Sequence, residues 1–508
     1  MAYSGKNTPD DSKMLFGFLI SFIVAVFAEL VFEFPIWGIY FVLAMSLAIL
    51  PFGVKNRKMI FLFFCLLGIF LGLWKTAGEL DKIFSIEKDS YEGLVYVSSQ
   101  PEQKSDYQKV EFCPVAEETN LENRDKLAYP DCEKKFIYYA GMEENWRFGQ
   151  VERVSCELER PENKYPKFNY IRYLAMNNIY AICQNLELRE ESDFLLAGFY
   201  KYKTKIFEYI FQTKKIFENK INGVFSFPES AYLAGLLLGG EDRLPEDVQE
   251  DFRQTGTTHT VAVSGFNITV LAGFFMWLGV LLGFWRQKAF WIAVLGIAFF
   301  VLMIGSPSSA VRAGIMGILI LWASKRGRLA GSVRAIVLAG AIMVWFSPLI
   351  LIYDAGFQLS FLAAASIVLV YEPLSQKVSI ENDFLEWKSI LLVTLSAQLG
   401  VLGILVYNFE TFSPVSFLAN LIILPAIPLI MLGGFVSVFV GFFSYFLASF
   451  IALPTKVALS LEIKAVEKLA EISWASVEIG NVGIWWVAGY YLFLALFISW
   501  LKRNRNEA

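Results

Sequence analysis

Nine apolar runs crowd the second half of this sequence, at 260–283, 289–305, 308–324, 335–352, 354–371, 389–407, 414–440, 442–458 and 482–501. Most are close to the ~20 residues that cross a bilayer as a helix. Three more, Met14–Phe34, Pro35–Phe52 and Met59–Trp74, open the chain. Backbone in hydrocarbon must satisfy its own hydrogen bonds, so runs of this kind form helices. The fold class that follows is a polytopic α-helical membrane protein with about 10–12 transmembrane helices. Composition agrees, with 56% hydrophobic, 16% aromatic and only 18% charged residues, where a soluble domain carries about 25% charged. An ordinary soluble enzyme, a disordered chain and a disulfide miniprotein are all excluded.

The charges that remain are concentrated. Between Glu79 and Lys220 lie 47 of the 92 charged residues. The net charge of −4 averages this segment with apolar flanks and says little about partners. The first run could pass for a signal peptide, but two more follow at once with no clear cleavage site, so it reads as an anchor. Lys6 and Lys13 precede it, and Lys55, Arg57 and Lys58 follow the second run, whereas only Glu29 and Glu33 lie between the first two. The positive-inside rule puts the N-terminus and the 55–58 loop in the cytoplasm, and the segment from Gly78 onward outside. Alternating the later runs then places Arg286/Lys288, Lys325/Arg326/Arg328/Arg334 and Lys502/Arg503/Arg505 inside, with the C-terminus.

These shifts predict four parts: a three-helix anchor over 1–78, an extracytoplasmic β domain over 79–193, an amphipathic interfacial helix over 194–225, and a multi-helix domain over 226–508. In the second part, GLVYVSSQP, VEFCPV, KKFIYYAG and GQVERVSCELERP alternate apolar and polar positions between turn residues, as short strands do. The size and pattern suit a small barrel of the OB type. Its 24 acidic and 15 basic residues do not resemble the positive groove of a single-strand binder. Cys113, Cys132, Cys156 and Cys183 can pair in three ways in an oxidising compartment, or remain buried thiols. In the third part, Phe199, Tyr202, Ile206, Tyr209, Ile210, Phe217 and Ile221 recur at helical spacing among six lysines, the pattern of a helix lying in the membrane interface.

Three irregularities interrupt the fourth part. Ala231–Gly240 is apolar but too short to span, Pro414, Pro425 and Pro428 interrupt one long run, and 455–475 carries charge at helical spacing suited to the outer surface. Polar groups inside apolar runs are costly, about 2.5–3.5 kcal/mol for a charge on insertion scales, and mark function. Here they fall in four blocks. Residues 235–273 hold Glu241, Asp242, Arg243, Arg253, His259, Ser264 and Asn267. Residues 306–317 hold Arg312. Residues 353–361 hold Asp354, Gln358 and Ser360, and residues 413–425 hold Asn420.

These blocks carry a family resemblance. The Leu-Leu-Leu-Gly turn, the acidic-basic patch, the Arg-x-x-Gly-x-x-His segment at Arg253, Gly256 and His259, and the Ala-x-Ser-Gly turn at Ala262, Ser264 and Gly265 resemble the signature of the ComEC/Rec2 competence proteins. Arg312 with Gly314, the run Asp354–Ser360, and Asn420–Pro425 match further blocks in order, and RPENKYPKFNYIRYLA resembles the family's extracytoplasmic domain. Two departures stand out. Asn267 occupies a position where members commonly have His, and the sequence ends at Ala508 without the metallo-β-lactamase-like domain that many members carry. With His259 as the single histidine and no CxxC pair, no metal or other cofactor is expected, and a nuclease would come from another chain.

The resemblance implies a channel of the bacterial cytoplasmic membrane that passes single-stranded DNA inward during natural transformation, rather than an enzyme. It also implies an extracytoplasmic DNA receptor, a separate nuclease and a cytoplasmic ATP-driven helicase-type partner, since the chain has no P-loop. Hydroxyls, amides and sparse cations in a wet pore allow weak, repeated phosphate contacts. Arg312 suits such a contact, or an ion pair with Asp354. Phe357 and Phe361 suit base stacking, or core packing. Two other readings stay open. One is a permease for another anionic polymer or small solute. The other is an intramembrane serine hydrolase built on Ser264, His259 and Asp354, although no G-x-S-x-G turn is present and the first two residues lie five apart.

Overall fold

The computed structural model describes residues 9–503 apart from 54–56, 84–88, 104–106, 120–125, 164–167, 190–194, 197, 241–243, 262–264, 326–331 and 378–386. The chain divides into two compact units, Met1–Thr204 with Ala330–Gln358, and Lys205–Leu329 with Leu359–Ala508. It is a multi-pass helical membrane protein. Among the described residues seven helices are long and apolar enough to cross a bilayer, or eight if a bent pair counts as one. Five shorter apolar helices accompany them.

The first unit opens with α1 (Pro9–Phe32), α2 (Ile36–Gly53) and α3 (Arg57–Ile83). A Cβ on Gly68 would lie 2.6 Å from the Phe18 carbonyl, and one on Gly72 would lie 2.6 Å from that of Phe22. The backbones of α1 and α3 therefore touch, as small residues four apart permit. The third apolar run was expected to end at Trp74. The helix continues nine residues further because Lys75 pairs with Glu79 at 2.7 Å and Leu80 and Ile83 are buried. A helix at Ser332–Phe346 belongs to the same unit, its Trp345 ring 5.8 Å from that of Phe22 on α1.

The polar segment of this unit is a closed sheet. β1 (Asp89–Val97) pairs antiparallel with both β3 (Tyr107–Thr119) and β6 (Val151–Glu159), with the two-residue β2 (Glu102–Gln103) folded onto β3. β3 continues to β5 (Lys135–Gly141), and β4 (Lys126–Pro130) and β8 (Leu195–Leu196) extend one edge. β5 runs parallel to β7 (Ile179–Leu188), which returns antiparallel to β6. The ring β1–β3–β5–β7–β6 is thus a five-stranded barrel. Its interior holds Val95, Val97, Val110, Phe112, Phe136, Val154 and Ala181, closed by Trp146. Alternation puts Val110 and Phe112 inward. Of the three pairings open to the cysteines, the structure has Cys113–Cys132 and Cys156–Cys183, and Cys65 on α3 is free.

The lysine-rich segment is one helix, α4 (Gly198–Val224), which begins in the first unit and ends in the second. Ile210, Ile221 and Val224 are buried while Tyr202, Ile206 and Tyr209 are exposed. Lys220 Nζ donates to the Gly441 carbonyl at 3.1 Å and lies over the Phe442 ring. The helix Glu229–Leu238 buries every residue from Ser230 to Leu238. A short helix apolar all round belongs in a core rather than across a bilayer. It stops at Gly239 and Gly240, whose φ values of +74° and +109° other residues resist.

Of the three prolines expected to interrupt the long run, Pro414 precedes the helix and the other two do not break it. Ser416–Gly441 is one continuous helix containing Pro425 and Pro428. Each ring removes one helical N–H bond. The segment 455–475 is not a free surface helix. Leu453–Ala470 buries Thr455, Leu459, Glu462 and Val466, and meets Tyr445–Ile451 at a 49° bend.

Candidate functional site

Three of the four polar blocks lie wholly in the second unit, and packing brings them together. A Cβ on Gly235 would sit 3.1 Å from Val261 Cγ1. Asn267, fully buried, donates through Nδ2 to the Leu236 carbonyl at 3.3 Å. The short apolar helix, the one-turn helix Thr258–Val261 and the helix Gly265–Leu281 are thereby locked to one another. Gly265 faces Ala313 and Gly317 faces Ile268, which joins the first block to the helix Ser308–Lys325. On that helix Arg312 is 4% exposed, with its Nη1 3.4 Å from Ser308 Oγ.

The first block also meets the fourth. Gly256 has φ +67°, and a Cβ there would lie 3.0 Å from Ser416 Cβ and 3.2 Å from Ser413 Cβ. Ser416 Oγ accepts from Gln398 Nε2 at 3.1 Å. Thr394 stands one turn before Gln398, and Asn420, 4% exposed, one turn after Ser416. The result is a strip of hydroxyls and amides in an apolar domain. The Thr394 and Ser413 hydroxyls and Asn420 Oδ1 are buried with no hydrogen-bond partner among the described residues. Such groups call for water or a polar ligand.

The remaining predicted residues are placed differently. Arg253 is exposed, and its Nε and Nη2 reach the two carboxylate oxygens of Glu250 at 2.7 and 2.9 Å. His259 is exposed. Glu241, Asp242, Arg243 and Ser264 lie outside the described residues. The third block begins in the first unit. Asp354 Oδ1 accepts from the Phe357 amide at 3.0 Å, at the start of the helix Ala355–Ser366. Gln358 Nε2 donates to the Leu351 and Ile352 carbonyls at 3.1 and 2.8 Å. Asp354 and Gln358 thus serve donors and acceptors orphaned at a helix junction. Phe357 is buried, Phe361 and Ser360 half-buried. Among the described residues no group of three or more His, Cys, Asp or Glu is placed to hold a metal.

Comparison with known proteins adds the family. The sequence model described as competence protein matches residues 236–504, more than half of the chain. The chain belongs to the competence-protein family. ComE operon protein 3 of Bacillus subtilis (strain 168) is 27% identical over 300 residues, which are 56% of this chain and 35% of that protein. The chain therefore aligns with about a third of the relative's length. No solved structure matches. All the residues of the polar strip fall inside the competence region. Thr394 and Gln398 went unrecognised in the sequence. Their signal was present as polar residues four apart inside the apolar run 389–407.

Proposed function

We propose that this competence-family protein is a cytoplasmic-membrane channel that carries single-stranded DNA inward during natural transformation. The observation that carries the reading is the strip formed by Thr394, Gln398, Ser413, Ser416 and Asn420 beside Gly256, within the region that matches the family. Neutral donors and acceptors contact phosphates without trapping them, and Arg312 supplies a sparse cation from a helix that packs against the first block. Transport rather than catalysis is the role. Glu241, Asp242, Arg243, Arg253, His259, Ser264, Asn267, Asp354, Gln358 and Ser360 complete the path as positioning or contacting groups.

In this reading residues 1–78 anchor the chain, 79–193 form an OB-type domain outside, 194–225 lie in the interface and 226–508 conduct. Five strands closing with one parallel pair support the OB assignment. The shorter apolar helices complete about 10–12 crossings, with both termini in the cytoplasm. A receptor outside, a separate nuclease and an ATP-driven helicase-type partner inside supply the strand and the work.

The test is uptake of labelled DNA in competent cells lacking the native gene. They are complemented with wild type, Arg312→Ala, Asp354→Asn or Gln398→Leu, each checked for membrane expression. Wild type is expected to restore internal single strands, while Arg312→Ala and Gln398→Leu reach the membrane but import less. A wild-type chain that restores nothing with its partners present sinks the proposal.

A further inference from the structure

The second unit holds a carboxyl group that neither the motif blocks nor the proposed path uses. Glu462, on Leu453–Ala470, is 3% exposed, and its Oε2 accepts from the Tyr232 hydroxyl at 2.9 Å. Tyr232 is itself fully buried, with its ring 5.3 Å from that of Phe252. Leu233, Leu459 and Val466 belong to the same core. Glu462 Oε1 is buried with no hydrogen-bond partner among the described residues.

The charged groups on the elements packed around it are all otherwise placed. On Glu246–Gln254, Arg253 is held by Glu250 and points to solvent, and Glu246, Asp247, Glu250 and Asp251 are acidic. On its own helix, Lys468 pairs with Glu471, Lys456 lies over the Phe225 ring, and Lys464 and Glu467 are exposed. Glu229 stands at the first turn of the helix carrying Tyr232. Nearby His259 is exposed. Ser416–Gly441 has no charged residue, and Tyr445–Ile451 has only Tyr445 to titrate.

A buried carboxylate with neither cation nor full hydrogen bonding is very costly, and holding a proton removes most of that cost. We propose that Glu462, oriented by Tyr232, is an internal proton-binding site. Oε2 is the accepting carbonyl oxygen and Oε1 carries the proton while the helices around it are packed. Release breaks only that O–H bond, the proton passing to water and the electron pair staying on the carboxylate. Water must reach Oε1 for this to happen, so proton occupancy and the closed packing of these helices stabilise each other. The site stands whether or not the passenger is DNA.

Infrared difference spectroscopy on the purified full chain in lipid nanodiscs tests it. Wild type is expected to show a protonated-carboxyl C=O band at neutral pH that is lost in Glu462→Gln. The band should move to higher frequency in Tyr232→Phe, where the hydrogen bond to the carbonyl oxygen is gone. Raising the pH through the loss of that band should also speed amide exchange over 230–238. Identical spectra for wild type and Glu462→Gln overturn the proposal. If Glu462→Gln does not fold, an unshifted band in Tyr232→Phe overturns it instead. Amide exchange over 230–238 that stays constant as the band disappears removes the link to packing.

Discussion

Arg172 ties together three segments of the first unit that are far apart in sequence. Its Nη2 meets Glu33 Oε1 at 2.8 Å, just past the end of α1, and its Nη1 bonds the Tyr353 hydroxyl. A planar fork makes both contacts at once, and a lysine cannot. Arg172→Lys is therefore expected to lower the melting temperature in detergent almost as much as Arg172→Ala, at a cost of about 1–3 kcal/mol. A lysine variant that melts like wild type would show that one contact suffices. Gly256 is a second such position. Its φ of +67° and the 3.0 Å approach of Ser416 leave no room for a side chain. Gly256→Ala should cost roughly 1–3 kcal/mol, read as a lower melting temperature, whereas Gly223→Ala, which meets nothing within 4 Å, should not. In the barrel, the Tyr138 hydroxyl donates to Glu144 Oε1 at 3.0 Å, and burial followed by that bond raises its pKa from an ordinary 10.0 to about 12. The neutral form is the favoured one. Its contribution is thus whole below pH 10 and is lost as pH climbs toward about 12. Melting curves in that window should fall more steeply for wild type than for Tyr138→Phe, and equal slopes would count against the assignment.

At the scale of elements, the apolar runs and the alternating strands were legible because each is a local periodicity. What closes the barrel was not. The parallel pairing of Lys135–Gly141 with Ile179–Leu188 joins strands 38 residues apart (Gly141 to Ile179), and no local pattern records a partner. The same holds for the site. The four blocks could be read from residue types, but the contact of Gly256 with Ser413 and Ser416 depends on packing. The continuous helix through Pro425 and Pro428 shows neighbouring helices overriding a local breaker. Gly68 and Gly72 are the reverse case, a spacing visible in the sequence whose meaning is the backbone contact of α1 with α3. Gly72→Leu should separate that pair and reduce the folded yield in the membrane, while Gly78→Leu, which meets nothing within 4 Å, should leave it unchanged. The disulfides give another element-scale expectation. Thiol alkylation of the denatured, unreduced chain should modify one cysteine, Cys65, and five after reduction. Three or more modified without reductant would contradict the pairing.

For the whole molecule, the charge pattern along the chain makes an orientation testable. A single reporter cysteine at 162 in a background lacking the native ones should react with an impermeant maleimide in intact spheroplasts. One at 328 should react only after the membrane is opened, and the opposite pattern would invert the topology. Fold class was legible at this scale because solvent preference is a bulk property, and the count of crossings was less so because short buried helices are as apolar as spanning ones. Helix lengths carry one further consequence. The 27 residues of Arg57–Ile83 and the 26 of Ser416–Gly441 make rods of about 40 Å, against a hydrocarbon slab of ~30 Å. The 18 residues of Arg286–Met303 make one of about 27 Å. Long and short rods cannot all stand upright in one slab, so the long ones lean or reach into the headgroups. Lipid thickness then becomes a variable the protein feels, and vesicles of thinner lipid should lean the long rods further while relieving the short one.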